Sequence, residues 1–142
     1  MGAKNDHQQK WLHNRNFLES ILDQESYPDW VLVAAFYTAV HAVETLFATA
    51  NCHSTDHHER KRILRQEGKW KEVFTHYHPL ENIAWAARYE CGGLVADLAS
   101  AKTNFVQGHL HKLEQAVCKQ IGKSAPTLKL LFTPRTPNPP KS

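Results

Sequence analysis

The stretch DWVLVAAFYTAVHAVETLFATA, Asp29 to Ala50, decides the fold of this chain. Leu32, Ala35, Phe36, Ala39, Val43, Leu46 and Phe47 recur at the three- and four-residue intervals of an α-helix and make one broad apolar side. Thr38, Thr45 and Thr49 form only a narrow polar stripe, so the helix is apolar around most of its circumference. A helix of that kind either spans a bilayer or lies at the centre of a bundle whose other helices cover it. Thr38, His41, Glu44 and Thr45 interrupt the run and favour the second placement. The alanines leave room for close neighbours.

Working outward, the covering helices are legible on both sides. Trp11, Leu12, Phe17, Leu18, Ile21 and Leu22 lie at helical spacing, which predicts an amphipathic first helix from about Asp6 to Leu22. Pro28 biases Tyr27 away from helix, and Asp29 suits the positive end of the helix that follows. After a polar connection, Asp56 with Glu59 three residues later reads as a capping box for a short third helix ending near Gln66, with Gly68 beyond it. Trp70 to Cys91 is helical in pattern but holds Pro79, which either kinks one long helix or starts a second at its first turn; a break near His78 is the favoured reading. Gly92-Gly93 ends that segment. Leu94, Val95, Leu98, Phe105, His109, Leu110, Leu113, Val117 and Ile121 mark a long last helix, with a slight bend expected at Gly108. Five of the seven prolines follow Gly122, so residues 123–142 read as an extended tail in which only Leu128 to Phe132 suits docking. The expectation is one all-α domain over residues 1–122, an antiparallel bundle of about five helices.

The 142 residues fit a single core, and a net charge of +3 is too small to name a partner. Met1 to Lys10 is polar and has no apolar signal-peptide core. Cys52, Cys91 and Cys118 are odd in number and contain no C-x-x-C pair, which points to reduced thiols in a cytoplasm rather than to a disulfide framework or a thiolate zinc site. No cofactor, metal or membrane is expected.

Three constellations are candidates for chemistry. Tyr37, His41 and Glu44 are spaced by four and three residues along one stripe of the central helix, where a His–Glu pair would serve either as a general base or as a polar contact between helices. His53, His57, His58 and Arg60, followed by Lys61, Arg62 and Arg65, gather at a helix start. They suit phosphate, or else form a solvated basic face. His53 and His57 lack a third ligand at a familiar spacing. Glu81, Trp85, Arg88 and Tyr89 share a face, with Arg88 free to pair with Glu81 or with Glu44. The latter pairing would close one polar pocket of Tyr37, His41, Glu44, Arg88 and Tyr89, and a structural salt bridge is the competing use. His76, His78, His109 and His111 read as surface or packing residues, since positions two apart on a helix face different ways.

The run Ala35-Phe36-Tyr37-Thr38-Ala39-Val40-His41-Ala42-Val43-Glu44, the segment from His53 to Leu64 and the triplet Ala87-Arg88-Tyr89 resemble the HEPN superfamily of small helical-bundle proteins. The resemblance covers roughly Leu18 to Ile121. It implies an antiparallel bundle, a homodimer, and a toxin–antitoxin, antiviral or RNA-processing setting. Many such proteins are metal-independent ribonucleases whose motif is an arginine, a polar residue, and a histidine after four to six intervening positions. None of Arg15, Arg60, Arg62, Arg65, Arg88 and Arg135 is followed by a histidine at that distance. Beyond Arg88 the places are taken by Gly93, Leu94 and Val95. Two functions follow as expectations. One is an RNA- or nucleotide-binding module, in its catalytic form a divergent ribonuclease using His41, Glu44 and Arg88, with His57, His58, Arg60, Arg62 and Arg65 on phosphate. The other is a non-catalytic homodimer that binds a partner protein such as an antitoxin.

Overall fold

The computed structural model describes residues 4–23, 26–90, 97–128 and 131. It is an all-α bundle of α1 (Lys4–Ile21), α2 (Pro28–Thr49), α3 (His57–Gln66), α4 (Lys71–Tyr89) and a last helix α5 over residues 98–121; no strand occurs among the described residues. Sixteen of the 22 residues of α2 are buried, which makes it the helix around which the others pack. By length and composition α2 is apolar enough to cross a membrane, yet 83% of its most apolar window is covered by the other helices. Thr38, Thr45 and Thr49 donate their hydroxyls to the carbonyls four residues back, so the polar stripe is satisfied within the helix.

Both neighbours of α2 run antiparallel to it. His7 near the start of α1 stacks on His41, while Phe17 and Ile21 near its end meet Tyr27 and Trp30. On the other side Phe47 packs on Trp70, Phe36 on Tyr77, and Tyr37 on Arg88. α5 closes the bundle, with Lys102 paired to Asp23 and Glu114 holding Trp11 and Arg15. Leu128 and Leu131 pack against the core, in line with the expected docking of that short apolar run; residues 129–130 and 132–142 lie outside the described residues.

The end of α2 sets up the candidate site. Asn51 takes a left-handed conformation at φ 54°, Cys52 N–H donates to the Phe47 carbonyl at 2.8 Å, and Asn51 N–H donates to that of Ala48 at 3.1 Å. This is a Schellman stop with asparagine in the place glycine usually takes. It folds the chain back so that Ser54 reaches Glu44. Asp56 then caps α3 by accepting from Glu59 N–H at 2.8 Å, as its spacing predicts.

Two expectations need correction. No break occurs near His78, because α4 runs unbroken through Pro79. Val73, Tyr77, Leu80 and Ala84 are buried on both sides of the proline, and that packing overrides a local cost of about 3 kcal/mol. The last helix also departs from ideal winding. After one α-helical turn at Leu98–Ser100, Ala101–Leu110 is π-helical, and α-helix resumes at His111–Ile121. The wider winding coincides with Gly108, where a Cβ would come within 3.3 Å of the Thr103 carbonyl five residues back. The start placed at Leu94 and the stop at Gly92-Gly93 lie outside the described residues.

Candidate functional site: a buried arginine knot beside an exposed arginine ledge

Arg60 is the centre of a buried polar knot. Its Nε donates to Glu44 Oε1 at 2.7 Å, and its Nη1 donates to Tyr77 OH at 3.1 Å and to His57 Nδ1 at 2.7 Å. Ser54 Oγ donates to the same Glu44 oxygen. Arg60 and Glu44 are 7% and 4% exposed, so this is an ion pair inside the bundle. Burial opposes the Arg60 charge, but Tyr77 and Glu44 more than offset it and hold its pKa above the usual guanidinium range. Tyr77, buried, has a hydroxyl pKa pushed well up. A guanidinium engaged in this way does not reach out to phosphate. The pairing of Arg88 with Glu44 does not form, because Arg60 and Ser54 occupy that carboxylate.

Beside the knot lies a cleft of about 230 Å³ lined by His7, His41, Glu44, His53, Ser54 and Arg60, with Val40 at its side. His41 Nδ1 is buried without a hydrogen-bond partner among the described residues. Burial, then the positive charge of His7, Lys10 and Arg60, lowers the His41 pKa to about 4, with Glu44 acting weakly in the other direction. The ring is therefore neutral at pH 7 and a poor base, since efficient general-base catalysis wants a pKa close to the working pH. His41 and Glu44 share a cleft without forming a poised catalytic pair.

On the other side of Arg60 the surface carries exposed aromatic rings around a second arginine. Arg88 donates from Nη1 to Tyr37 OH at 2.9 Å and from Nε to its own helix at the Ala84 carbonyl, 3.2 Å away. Its guanidinium carbon stands 5.2 Å from the Tyr89 ring centre and 5.7 Å from those of Phe36 and Tyr37. Trp85 packs on Tyr89 at 5.5 Å between centres, the two rings tilted by 53°. Tyr37, Trp85 and Tyr89 are 37%, 54% and 60% exposed. The two bonds use two of the five guanidinium N–H groups, and the other three make no hydrogen bond among the described residues. His57 flanks this ledge, 5.3 Å from Phe36 between ring centres. Burial, Arg60 and Arg88 lower its pKa, which favours the neutral ring. Arginine has no acceptor, so its contact with Nδ1 fixes the neutral imidazole as the Nε2–H tautomer. His57 then offers a donor on its remaining nitrogen, with no lone pair there to take a proton.

The rest of α3 is less organised. His58, Arg62 and Arg65 are exposed; Arg62 bonds Gln66 at 3.1 Å and Arg65 lies 5.8 Å over Phe74. The helix start expected to receive phosphate is covered by the Asp56 carboxylate, a like charge. Glu81 pairs with Lys61 at 2.8 Å rather than with Arg88. No group of three or more His, Cys, Asp or Glu is placed to hold a metal among the described residues. Burial raises the pKa of the Cys52 and Cys118 thiols, which disfavours a thiolate nucleophile; Cys91 lies outside the described residues.

Two polar arrangements escape a reading of the sequence. Trp11 Nε1 and Arg15 Nε both donate at 2.7 Å to Glu114 Oε2, deep between α1 and α5. The available signal was Glu114 inside the apolar series Leu110, Leu113 and Val117. His76 and His109, from α4 and α5, meet nitrogen to nitrogen at 3.1 Å, a pairing across helices that spacing along one helix does not disclose. No protein-family model, curated protein or solved structure matches the chain.

Proposed function

We propose that this chain binds single-stranded RNA, or a nucleotide, on the α2–α4 ledge and does not cut it. The observation that carries this reading is Arg88 set among Phe36, Tyr37 and Tyr89, with Trp85 alongside; Phe36 is buried beneath the guanidinium, and the rings of Tyr37, Trp85 and Tyr89 are open to solvent. Unpaired bases stack on such rings, and an arginine between them supplies both a phosphate contact and a flat cation for stacking. The Nε2–H of His57 adds a donor at the edge. Cleavage without a metal needs a base for the 2′-hydroxyl, and neither histidine suits it: His41 is too weakly basic and the free nitrogen of His57 carries a proton. The resemblance of the sequence to HEPN proteins is what suggests an RNA-targeting or defence setting in the cytoplasm for such binding. The test is fluorescence anisotropy of a labelled single-stranded oligonucleotide in EDTA, with the same samples run on a denaturing gel. Binding with intact RNA is expected; cleavage lost in Arg88→Ala would restore the nuclease reading.

A second reading, a homodimer or protein-binding scaffold, is favoured by a separate feature. Phe17, Tyr27 and Trp30 are 51%, 54% and 55% exposed around an apolar hollow of about 250 Å³, and Trp30 lies on the same stripe of α2 as Tyr37. Light scattering decides it: a dimer dissociated by Trp30→Asp, with RNA left unbound, would favour the scaffold.

A further inference from the structure

We propose that Glu114 anchors a binding site between α1 and α5 for an uncharged single-ring molecule that presents an N–H donor, a cyclic amide being the simplest case. Glu114 and Arg15 are 1% and 6% exposed, and Trp11 Nε1 and Arg15 Nε both donate to Glu114 Oε2 at 2.7 Å. The other carboxylate oxygen, Oε1, is buried and has no hydrogen-bond partner among the described residues. Each carboxylate oxygen can accept two hydrogen bonds, and a buried acceptor left without a donor forfeits its hydration for nothing. Glu114 also lines a cavity of about 220 Å³, together with Arg15, His111, Gln115, Cys118, Pro126 and Leu128. A buried acceptor in need of a donor, in the wall of a cavity, suits a ligand that brings the donor with it.

The walls narrow the class of ligand. A carboxylate only accepts, so the ligand must donate. Arg15 and Glu114 form an ion pair whose charges cancel: an ammonium drawn to Glu114 is repelled by Arg15, and an anion meets the reverse. An uncharged N–H group avoids both repulsions and is far cheaper to take out of water than a charge. Pro126, Leu128 and Cys118 supply apolar surface for a ring. His111, Glu114, Gln115 and Cys118 recur at three- and four-residue intervals on one face of α5, which sets the exposed Gln115 carboxamide beside Glu114 as a partner for the carbonyl of a cyclic amide. A cavity of about 150 Å³ admits benzene. The volume here therefore holds one substituted ring, and it falls short of the roughly 300 Å³ at which sites for drug-sized ligands begin. The site lies between α1 and α5 rather than between α2 and α4, and does not rest on the RNA reading.

The test compares two probes on the unaltered full chain by NMR titration: 2-pyridone, a cyclic amide with a ring N–H, and N-methyl-2-pyridone, in which a methyl group replaces that donor. 2-Pyridone is expected to bind at least about tenfold more tightly, the worth of one hydrogen bond to a charged acceptor. Alkylation by iodoacetamide, mapped by peptide mass at mildly alkaline pH, locates the site. Modification of Cys118 should slow in 2-pyridone while that of Cys52 does not. Leu128→Trp enlarges a wall residue without touching the ion pair, and should abolish both effects. Equal affinity for the two probes, binding of neither, protection of Cys52 instead of Cys118, or tighter binding of benzylammonium than of 2-pyridone would overturn the proposal.

Discussion

Arg60 and Arg88 are two arginines on either side of His57, and the fold treats them in opposite ways. Arg60 is drawn into the bundle, where Glu44, Tyr77 and His57 engage it. Arg88 stays half-buried near the surface, held by the Tyr37 hydroxyl and the Ala84 carbonyl and faced by rings. Residue type and charge are the same, so the difference comes from where α3 crosses the bundle. Its short apolar face buries Leu64 and carries Arg60 inward one turn earlier. A buried guanidinium organises its neighbours, whereas a half-buried one among aromatics can recognise a ligand.

That contrast makes separable predictions. The largest effect should follow removal of one partner of the knot. Glu44→Ala leaves Arg60 charged and buried, and should cost about 3–5 kcal/mol of stability by urea unfolding, whereas replacing both residues with leucine and methionine should cost far less. Near-equal unfolding for the single and double variants would mean that the pair does not share one buried environment. Next, Trp85→Ala should leave the unfolding midpoint almost unchanged, since the ring is half exposed, while weakening single-stranded RNA binding by about 1–3 kcal/mol, the usual worth of one stacked base. Unaltered affinity would remove Trp85 from the ledge.

A smaller effect is expected from acid. The folded His41 pKa lies below its ordinary value of 6.5, so the unfolded chain takes up a proton first as pH falls. The stability tied to this neutral ring is fully present above pH 6.5 and is lost progressively down to about pH 4. Urea midpoints recorded across that window should fall more gently in His41→Gln; identical slopes would show that the cleft does not hold the ring neutral. Smallest of all, Pro79→Ala should raise stability by roughly 1 kcal/mol, because it restores a backbone donor inside α4 while giving back some freedom to the unfolded chain.

The bundle was legible in the sequence because apolar period and punctuation agree over most of it. α2 in particular is apolar around most of its circumference, and the polar residues Thr38, His41, Glu44 and Thr45 that interrupt it favour the centre of a bundle. Pro79 misled because a local cost of helix interruption is visible in sequence, while Tyr77 and Leu80 anchoring both flanks is not. The π-helical turns of α5 are equally hidden, since they depend on how side chains settle against α2 and α4. Among the site residues, Tyr37, Arg88, Tyr89 and Trp85 were visible as an aromatic and basic pattern at helical spacing. Their separation from Glu44 was not, because it depends on α3 bringing Arg60 across 16 residues of chain to claim that carboxylate. His57 was visible as a charged candidate, but its tautomer follows only from which nitrogen Arg60 meets.

The most direct measurement compares single-stranded RNA affinity for Arg88→Ala with that for the double variant Arg62→Ala and Arg65→Ala, by anisotropy in EDTA at several salt concentrations. The ledge predicts that Arg88→Ala weakens binding about tenfold at an unchanged unfolding midpoint, whereas the α3 variant loses little beyond its share of the salt dependence. Full affinity in Arg88→Ala, with binding lost in the α3 variant, would contradict the ledge and return the site to the basic face of α3.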